Sequence, residues 1–265
     1  MKIVISKTND PYLQGIIAAM ALSHDVIVWE DKYKPFFDMM EELKPNIVVC
    51  QSHQITAQMF QTLQKHNTKL IVDGLGNWTD IKPDLILFQN KPSDIVIKNL
   101  GDIKYYCVEK CANTAQYRGG SYHKSLKSDV LVITDDFTPE MEQDIWRLID
   151  KYQVKIVGKN KIHLPTYLGN ASHAAIMDLM KSTKIALDYN EHMLYNYIYN
   201  SVFCITSVPN QFCWYGNDVV QLVDKYIDKP QCRQNKKKKA RQLLLKEKRV
   251  YEDKVVDIFN LLGNK

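Results

Sequence analysis

Two residues that can move protons each follow a short run of branched apolar residues: His53 after Asn46–Cys50, and Asp73 after Lys69–Val72. A histidine or carboxylate at the end of a buried strand can take a proton from a bound hydroxyl, so both are candidate general bases. Each also has a structural reading, as a side chain hydrogen-bonded in its own loop. Asp135 and Asp136 are adjacent acids after a third run. Neighbours in sequence point in different directions, so they read as cap or loop residues rather than as a metal pair. Gly158 and Lys159 follow Lys155-Ile156-Val157, and Asn190 and His192 follow Lys184–Asp188. Tyr195 and Asn196 then fall in the first turn of a helix, whose unpaired N–H groups and partial positive charge suit a phosphate.

Other chemistries lack their residues. Ser6-Lys7-Thr8-Asn9-Asp10-Pro11 stands where a dinucleotide-binding Gly-x-Gly-x-x-Gly would follow the first strand, and there is no Gly-x-x-x-x-Gly-Lys-Ser/Thr. Asp73-Gly74-Leu75-Gly76 reads as a tight turn. The six cysteines form no Cys-x-x-Cys pair, and Cys107 and Cys111 have no nearby histidine or second pair to complete a zinc site. They read as reduced structural residues. No Asp-x-Asp triplet stands at a strand end, so no metal is expected.

The elements that must position these residues repeat. Strands are expected at Lys2–Ser6, Asp25–Trp29, Asn46–Cys50, Lys69–Val72, Leu85–Gln89 and Ile103–Val108, with helices at Tyr12–Leu22, Phe36–Leu43 and Thr56–His66. After a polar stretch, Asn113–Ser128, the pattern restarts. Strands at Asp129–Thr134, Lys155–Gly158, Lys184–Asp188 and Val202–Thr206 alternate with helices at Pro139–Tyr152, Ala174–Ser182, Met193–Asn200 and Asp218–Ile227. One or two further helices are expected over Lys236–Leu262. Apolar strands separated by amphipathic helices predict parallel sheets covered on both faces. The fold class is therefore α/β, with two Rossmann-like parallel-sheet domains facing a cleft. Ligands of such sheets bind beyond the carboxyl ends of the strands. That rule nominates Ser6–Asp10, Gln51–His53 and Asp73–Trp78 in the first half. In the second it nominates Thr134–Asp136, Gly158–Lys161, Tyr189–His192 and Ser207–Asn210.

The 265 residues carry a formal net charge of +5, distributed unevenly. Between Asp228 and Lys254 stand 11 Lys or Arg and 4 Asp or Glu, a local +7 that leaves −2 for the rest. The basic balance belongs to one segment, which weakens a nucleic-acid reading for the body of the chain. The Lys236–Lys239 run reads as a solvated helix face able to contact an anionic surface. No apolar run approaches the roughly 18 residues of a membrane span, and Met1–Ser6 reads as a strand rather than a signal peptide. A cytoplasmic protein is expected.

From Lys155 onward, over about 110 residues, the order of features resembles the donor half of a GT-B glycosyltransferase, and is most similar to the compact CgeB-like (spore maturation protein-like) enzymes. Lys155-Ile156-Val157-Gly158 leading to Tyr167-Leu168-Gly169 resembles that family's strand and Tyr-x-Gly element. Ser182–Asn190 resembles its Ser-Lys-Ile-x-Leu-Asn strand, and Tyr195-Asn196 through Thr206 its next helix and strand. The resemblance implies a metal-independent hexosyl- or pentosyltransferase. It implies no cofactor beyond a nucleotide-sugar donor substrate, and an acceptor that is a glycan, a lipid-linked molecule or a nucleic acid.

In that frame residues 1–115 form the acceptor domain and 128–240 the donor domain, while 241–265 is a helix crossing back to the first. Gly158, Lys159, Tyr167, Asn190, His192, Tyr195 and Asn196 would hold the donor, with His192 near the diphosphate. Asn196 stands where the family has an acidic residue that binds the ribose hydroxyls. His53 and Asp73 would be catalytic. The alternative is a nucleic-acid-binding or regulatory protein of the same architecture, without transferase activity, that uses the basic C-terminal segment.

Overall fold

A computed structural model describes residues 1–8, 10–76, 80–160, 163–191 and 193–263. Branched apolar residues set the first strands: β1 (Lys2–Ser6), β2 (Asp25–Trp29), β3 (Ile47–Gln51), β4 (Lys69–Asp73), β5 (Leu85–Phe88) and β6 (Tyr105–Cys107). They form one parallel sheet in the order β2-β1-β3-β4-β5-β6. Helices α1 (Pro11–Met20), α2 (Phe36–Leu43), α3 (Ala57–Lys65) and α4 (Asp94–Leu100) make crossovers between its strands. The starts are encoded locally. Asp10 accepts the Tyr12 N–H at 3.0 Å with Pro11 in the first turn of α1, and Thr56 accepts the Met59 N–H to open α3.

The second set runs β7 (Ser128–Ile133), α5 (Pro139–Ile149), β8 (Val154–Val157), α6 (His173–Ser182), β9 (Thr183–Asp188), α7 (Leu194–Tyr199), β10 (Cys204–Thr206), β11 (Trp214–Tyr215) and α8 (Val219–Tyr226). α9 (Pro230–Lys246) and α10 (Tyr251–Leu261) follow. The second sheet is also parallel, in the order β11-β10-β9-β7-β8. Adjacent residues of β7 serve opposite faces, as a strand's period of two requires. Leu131 packs with Ala186, Leu194 and Tyr197, while Val130 packs with Ile145, Leu187 and Val223.

The chain divides into two compact units, Met1–Lys110 with Tyr251–Lys265, and Cys111–Val250. Within the first unit, α10 lies on α1 so closely that a Cβ on Gly15 would fall 2.2 Å from the Tyr251 ring. Asp257 accepts the Tyr106 hydroxyl at 2.8 Å, His24 meets Phe259 edge-on, and the Lys69 ammonium donates to the Leu262 carbonyl. The stretch 113–128 lies within the second unit. Its Ser121 N–H donates to Asp178 and its His123 N–H to the Ser182 hydroxyl, at 2.8 and 2.9 Å.

Three elements differ from the sequence expectation. α4 forms where none was assigned, because Ser93 caps a segment whose Ile95-Val96-Ile97 run does not itself favour helix. β11 is a two-residue edge strand held by β10. The basic region begins its helix at Pro230 and breaks at Lys248, whose φ of +53° turns the chain before Val250 bridges to Ala112. Among the described residues no helix is long and apolar enough to cross a membrane.

Candidate functional site

Both sheets share one strand order when each is counted from its own first strand: 2-1-3-4-5, extended by a sixth strand in the first. Such a sheet has its topological switch point between its first and third strands, and the crevice lies beyond their carboxyl ends. The structure therefore nominates the ends of β1 and β3 in the first unit, and of β7 and β9 in the second.

In the first unit, the Ser6 hydroxyl and the Gln51 N–H both donate to Gln54 Oε1, at 2.6 and 3.0 Å, which ties the ends of β1 and β3 together. His53 stands exposed on the single 3-10 turn Ser52–Gln54. Asp73 ends β4, paired in register with Gln51. Its carboxyl is pushed up to about 6 by burial and by the nearby charge of Asp10. Asp10 is itself raised, chiefly by burial, although the Leu13 N–H and the Gln89 amide, the latter at 2.8 Å, pull it down. A half-buried carboxyl raised by its own burial and by the neighbouring Asp10 makes a proton acceptor suited to near-neutral pH. Asp10 belongs to the strand-end segment nominated from sequence, but its role as helix cap and partner of Asp73 was not foreseen. The Asp-Pro pair opening α1 is the signal that could have shown it.

In the second unit, Gly158, Lys159 and Tyr167 come together at the ends of β7 and β8. A Cβ on Gly158 would lie 2.1 Å from the Thr134 carbonyl oxygen, so only glycine allows the two strand ends to meet. The Tyr167 hydroxyl donates to the Gly158 carbonyl at 2.6 Å, and the Gly158 N–H to the Gly169 carbonyl at 3.2 Å. Asp135 accepts the Lys159 N–H at 2.8 Å and pairs with its ammonium at 2.9 Å. Burial and the charge of Asp135 push the Tyr117 phenol up to about 12.

The loop after β9 is shaped by Asp188, which is buried and accepts the N–H groups of Asn190 at 3.2 Å and Met193 at 2.7 Å. One of the donors expected at the head of the next helix is therefore already taken, and α7 is only six residues long. Asn190 is exposed, but Tyr195 and Asn196 are buried. Tyr195 packs edge-on against Phe212. Asn196 Oδ1 accepts the Asn113 N–H at 2.8 Å, and its Nδ2 faces the Met193 sulfur at 3.8 Å. A ribose hydroxyl at Asn196 would have to meet that amide nitrogen. Glu191, in the left-handed region at φ +58°, accepts the Asn210 amide at 2.8 Å. His192, and Asn9, Asn77, Trp78 and Lys161 of the nominated segments, lie outside the described residues.

The site residues thus fall into two groups. His53 and Asp73 share neighbouring strand ends of the first unit, and the other described candidates cluster at β7, β8 and β9 of the second. Among the described residues, no three His, Cys, Asp or Glu side chains are grouped to hold a metal ion.

No family model matches the chain, and no curated protein matches it in sequence. Solved structures do match its fold. A glycosyltransferase from Rickettsia africae ESF-5 superposes with a TM-score of 0.66 at 11% identity, covering 100% of this chain and 99% of that one. The Anabaena protein HepE, solved with UDP and glucose, gives 0.59 at 9% identity, covering 98% and 99%. A UDP-N-acetylglucosamine 2-epimerase gives 0.55 at 10% identity, covering 93% and 94%. The fold is that of the GT-B glycosyltransferases: two α/β units, each built on a parallel sheet.

Proposed function

We propose that this chain is a glycosyltransferase, related to the compact CgeB-like enzymes, that moves a hexosyl or pentosyl group from a nucleotide-sugar to an acceptor without a metal. The observation that carries this reading is the doubled 2-1-3-4-5 sheet with polar groups at both switch points. The HepE structure with UDP and glucose supports a nucleotide-sugar as the donor class.

In this reading the second unit holds the donor. The glycine-tightened turn at Gly158 leaves backbone accessible for close approach, Asn190 offers an exposed amide, and His192 and Lys159 supply positive charge to the diphosphate. The Lys159 ammonium must then be shared with Asp135. The first unit holds the acceptor. As the acceptor oxygen attacks the anomeric carbon, the bond from that carbon to the diphosphate oxygen breaks and the electron pair leaves with the nucleoside diphosphate. The acceptor's proton passes to Asp73, whose raised carboxyl matches a base working near neutrality. His53 is the second candidate for that proton. Positioning and electrostatic stabilisation of the leaving diphosphate supply most of the rate.

The test is a thermal-shift screen of the full chain with UDP-glucose, UDP-N-acetylglucosamine, GDP-mannose and free UDP, since a ligand of the folded state raises its stability by mass action. A rise with one donor, followed by release of its nucleoside diphosphate in the presence of acceptor sugars, is expected. No response to any nucleotide overturns the reading. Conversion of the donor to its 2-epimer without transfer moves the protein to the epimerase class instead.

A further inference from the structure

A second concave region lies at the opposite end of the second sheet, beside the amino-terminal end of β9, away from every residue invoked for transfer. It is a cavity of about 380 Å³ whose walls carry four cations: Lys181 from the end of α6, Lys184 from β9, and Arg233 and Lys237 from one face of α9. One of the four is neutralised among the described residues, by the 2.7 Å pair between Lys184 and Asp129. Among the described residues, Lys181, Arg233 and Lys237 have no carboxylate within ion-pair distance. Lys181 donates to the Asn200 carbonyl at 3.2 Å, and Arg233 Nη1 to the Tyr226 carbonyl at 2.6 Å and the Ile227 carbonyl. These contacts, to carbonyls at the C-terminal ends of α7 and α8, aim the cations and offset only part of their charge. One turn beyond Lys237, Arg241 is held over the Tyr199 ring and donates to that residue's carbonyl at 2.8 Å.

Cations crowd together at a cost unless an anion joins them. The effect is visible in the lysines themselves. Partial burial and then Arg241 hold the Lys181 ammonium below its ordinary range, and partial burial and then Lys181 and Arg233 do the same at Lys237. Burial likewise holds Arg233 below its ordinary range, while Asp228 and Asp129 act in the opposite sense from beyond contact distance.

We propose that this cavity binds a phosphate-bearing ligand, a phosphate monoester or diphosphate, whose oxygens receive charge-assisted hydrogen bonds from Lys181, Arg233 and Lys237. A guanidinium anchored by backbone carbonyls and two flexible ammonium groups is a donor set suited to a multiply charged phosphate. The site is independent of the transferase reading and stands whether or not that reading survives. The same phosphate chemistry is carried by soluble phosphorylated compounds and by the headgroup of phosphatidic acid, and the experiment separates the two.

Calorimetry with inorganic pyrophosphate is run on the full chain at fixed ionic strength, with and without excess UDP to fill any nucleotide site. Co-sedimentation with phosphatidylcholine vesicles containing phosphatidic acid is run beside it. A soluble ligand predicts pyrophosphate binding that persists in UDP and weakens at least tenfold in Lys181→Gln/Lys237→Gln. A lipid headgroup predicts vesicle binding lost in the same variant, and either result supports the site. Lys237→Arg should restore binding. Without pyrophosphate, Lys237→Gln should melt at the same temperature as the parent or higher, because a repelling charge has gone. This separates a ligand site from a structural cluster. Binding of neither probe, or binding unchanged in the double variant and in each single one, overturns the proposal.

Discussion

The two sheets are built to one plan and finished differently at their carboxyl ends. In the first unit the strand ends carry Asp10 and Asp73, both raised chiefly by burial and Asp73 further by the charge of Asp10, beside the neutral amides of Gln54 and Gln89. In the second, Asp135 follows the first strand, as Asp10 does, and Asp188 ends the third, yet their oxygens are filled by the N–H groups of Lys159, Asn190 and Met193. The same residue type thus stores proton affinity in one unit and fixes loop shape in the other. At Asp73 burial and the charge of Asp10 set the carboxyl's proton affinity, whereas at Asp135 and Asp188 backbone N–H groups take up the oxygens.

The largest test of that contrast is Asp73→Asn. If Asp73 is the base, turnover should fall about 10² to 10⁴-fold, the usual worth of a positioned general base. The limb of the kcat/KM profile near pH 6 should vanish in this variant and persist in His53→Ala. The opposite outcome transfers the role to His53 and removes the functional side of the comparison.

Gly158→Ala should destabilise the second unit by about 3 kcal/mol, because the new Cβ meets a backbone oxygen that cannot rotate away. Urea denaturation reads this directly, and an unchanged midpoint would show that the strand ends are not so tightly joined.

Asn196→Ala removes the acceptor of the buried Asn113 N–H and should cost about 2 kcal/mol. Asn196→Asp keeps that acceptor but buries a carboxylate, so its cost should shrink as pH is lowered. Nucleotide affinity measured on both folded variants then tells whether Asn196 also touches the donor.

The smallest effect is a stability difference that disappears as pH falls. The Asp73 carboxyl lies near 6 in the folded chain against an ordinary 3.8, so the folded state binds its proton more tightly. Its contribution is whole below about pH 4 and is lost as pH rises through about 6. Asp73→Asn should therefore stabilise the protein by about 1 kcal/mol at pH 7.5, a figure reduced for solvent screening, and by nothing at pH 4. Denaturation at the two pH values checks it.

What the sequence made legible was period and punctuation. The branched runs of β1, β3, β4, β7 and β9 and the restart of the pattern after residue 128 were readable because each strand is buried on both faces and must be apolar throughout. The Thr138-Pro139 start of α5 was readable because capping is local. Asp188 as the clamp of its loop was not, since nothing in its neighbours' types reveals where two N–H groups will fold back. Asn196 failed for a related reason. Its partner, Asn113, lies 83 residues away, and no spacing rule reaches that far. β11 is too short for periodicity to register.

The return of α10 to α1 sets an order of events during synthesis. All of Cys111–Val250 is made between the two parts of the first unit. The second unit can therefore collapse as soon as its own residues emerge, whereas the first waits, with the α1 face around Gly15 uncovered, until residues 251–262 arrive. The half made first is finished last. A nonsense change near residue 250 would leave the later-made half intact and strand the earlier one.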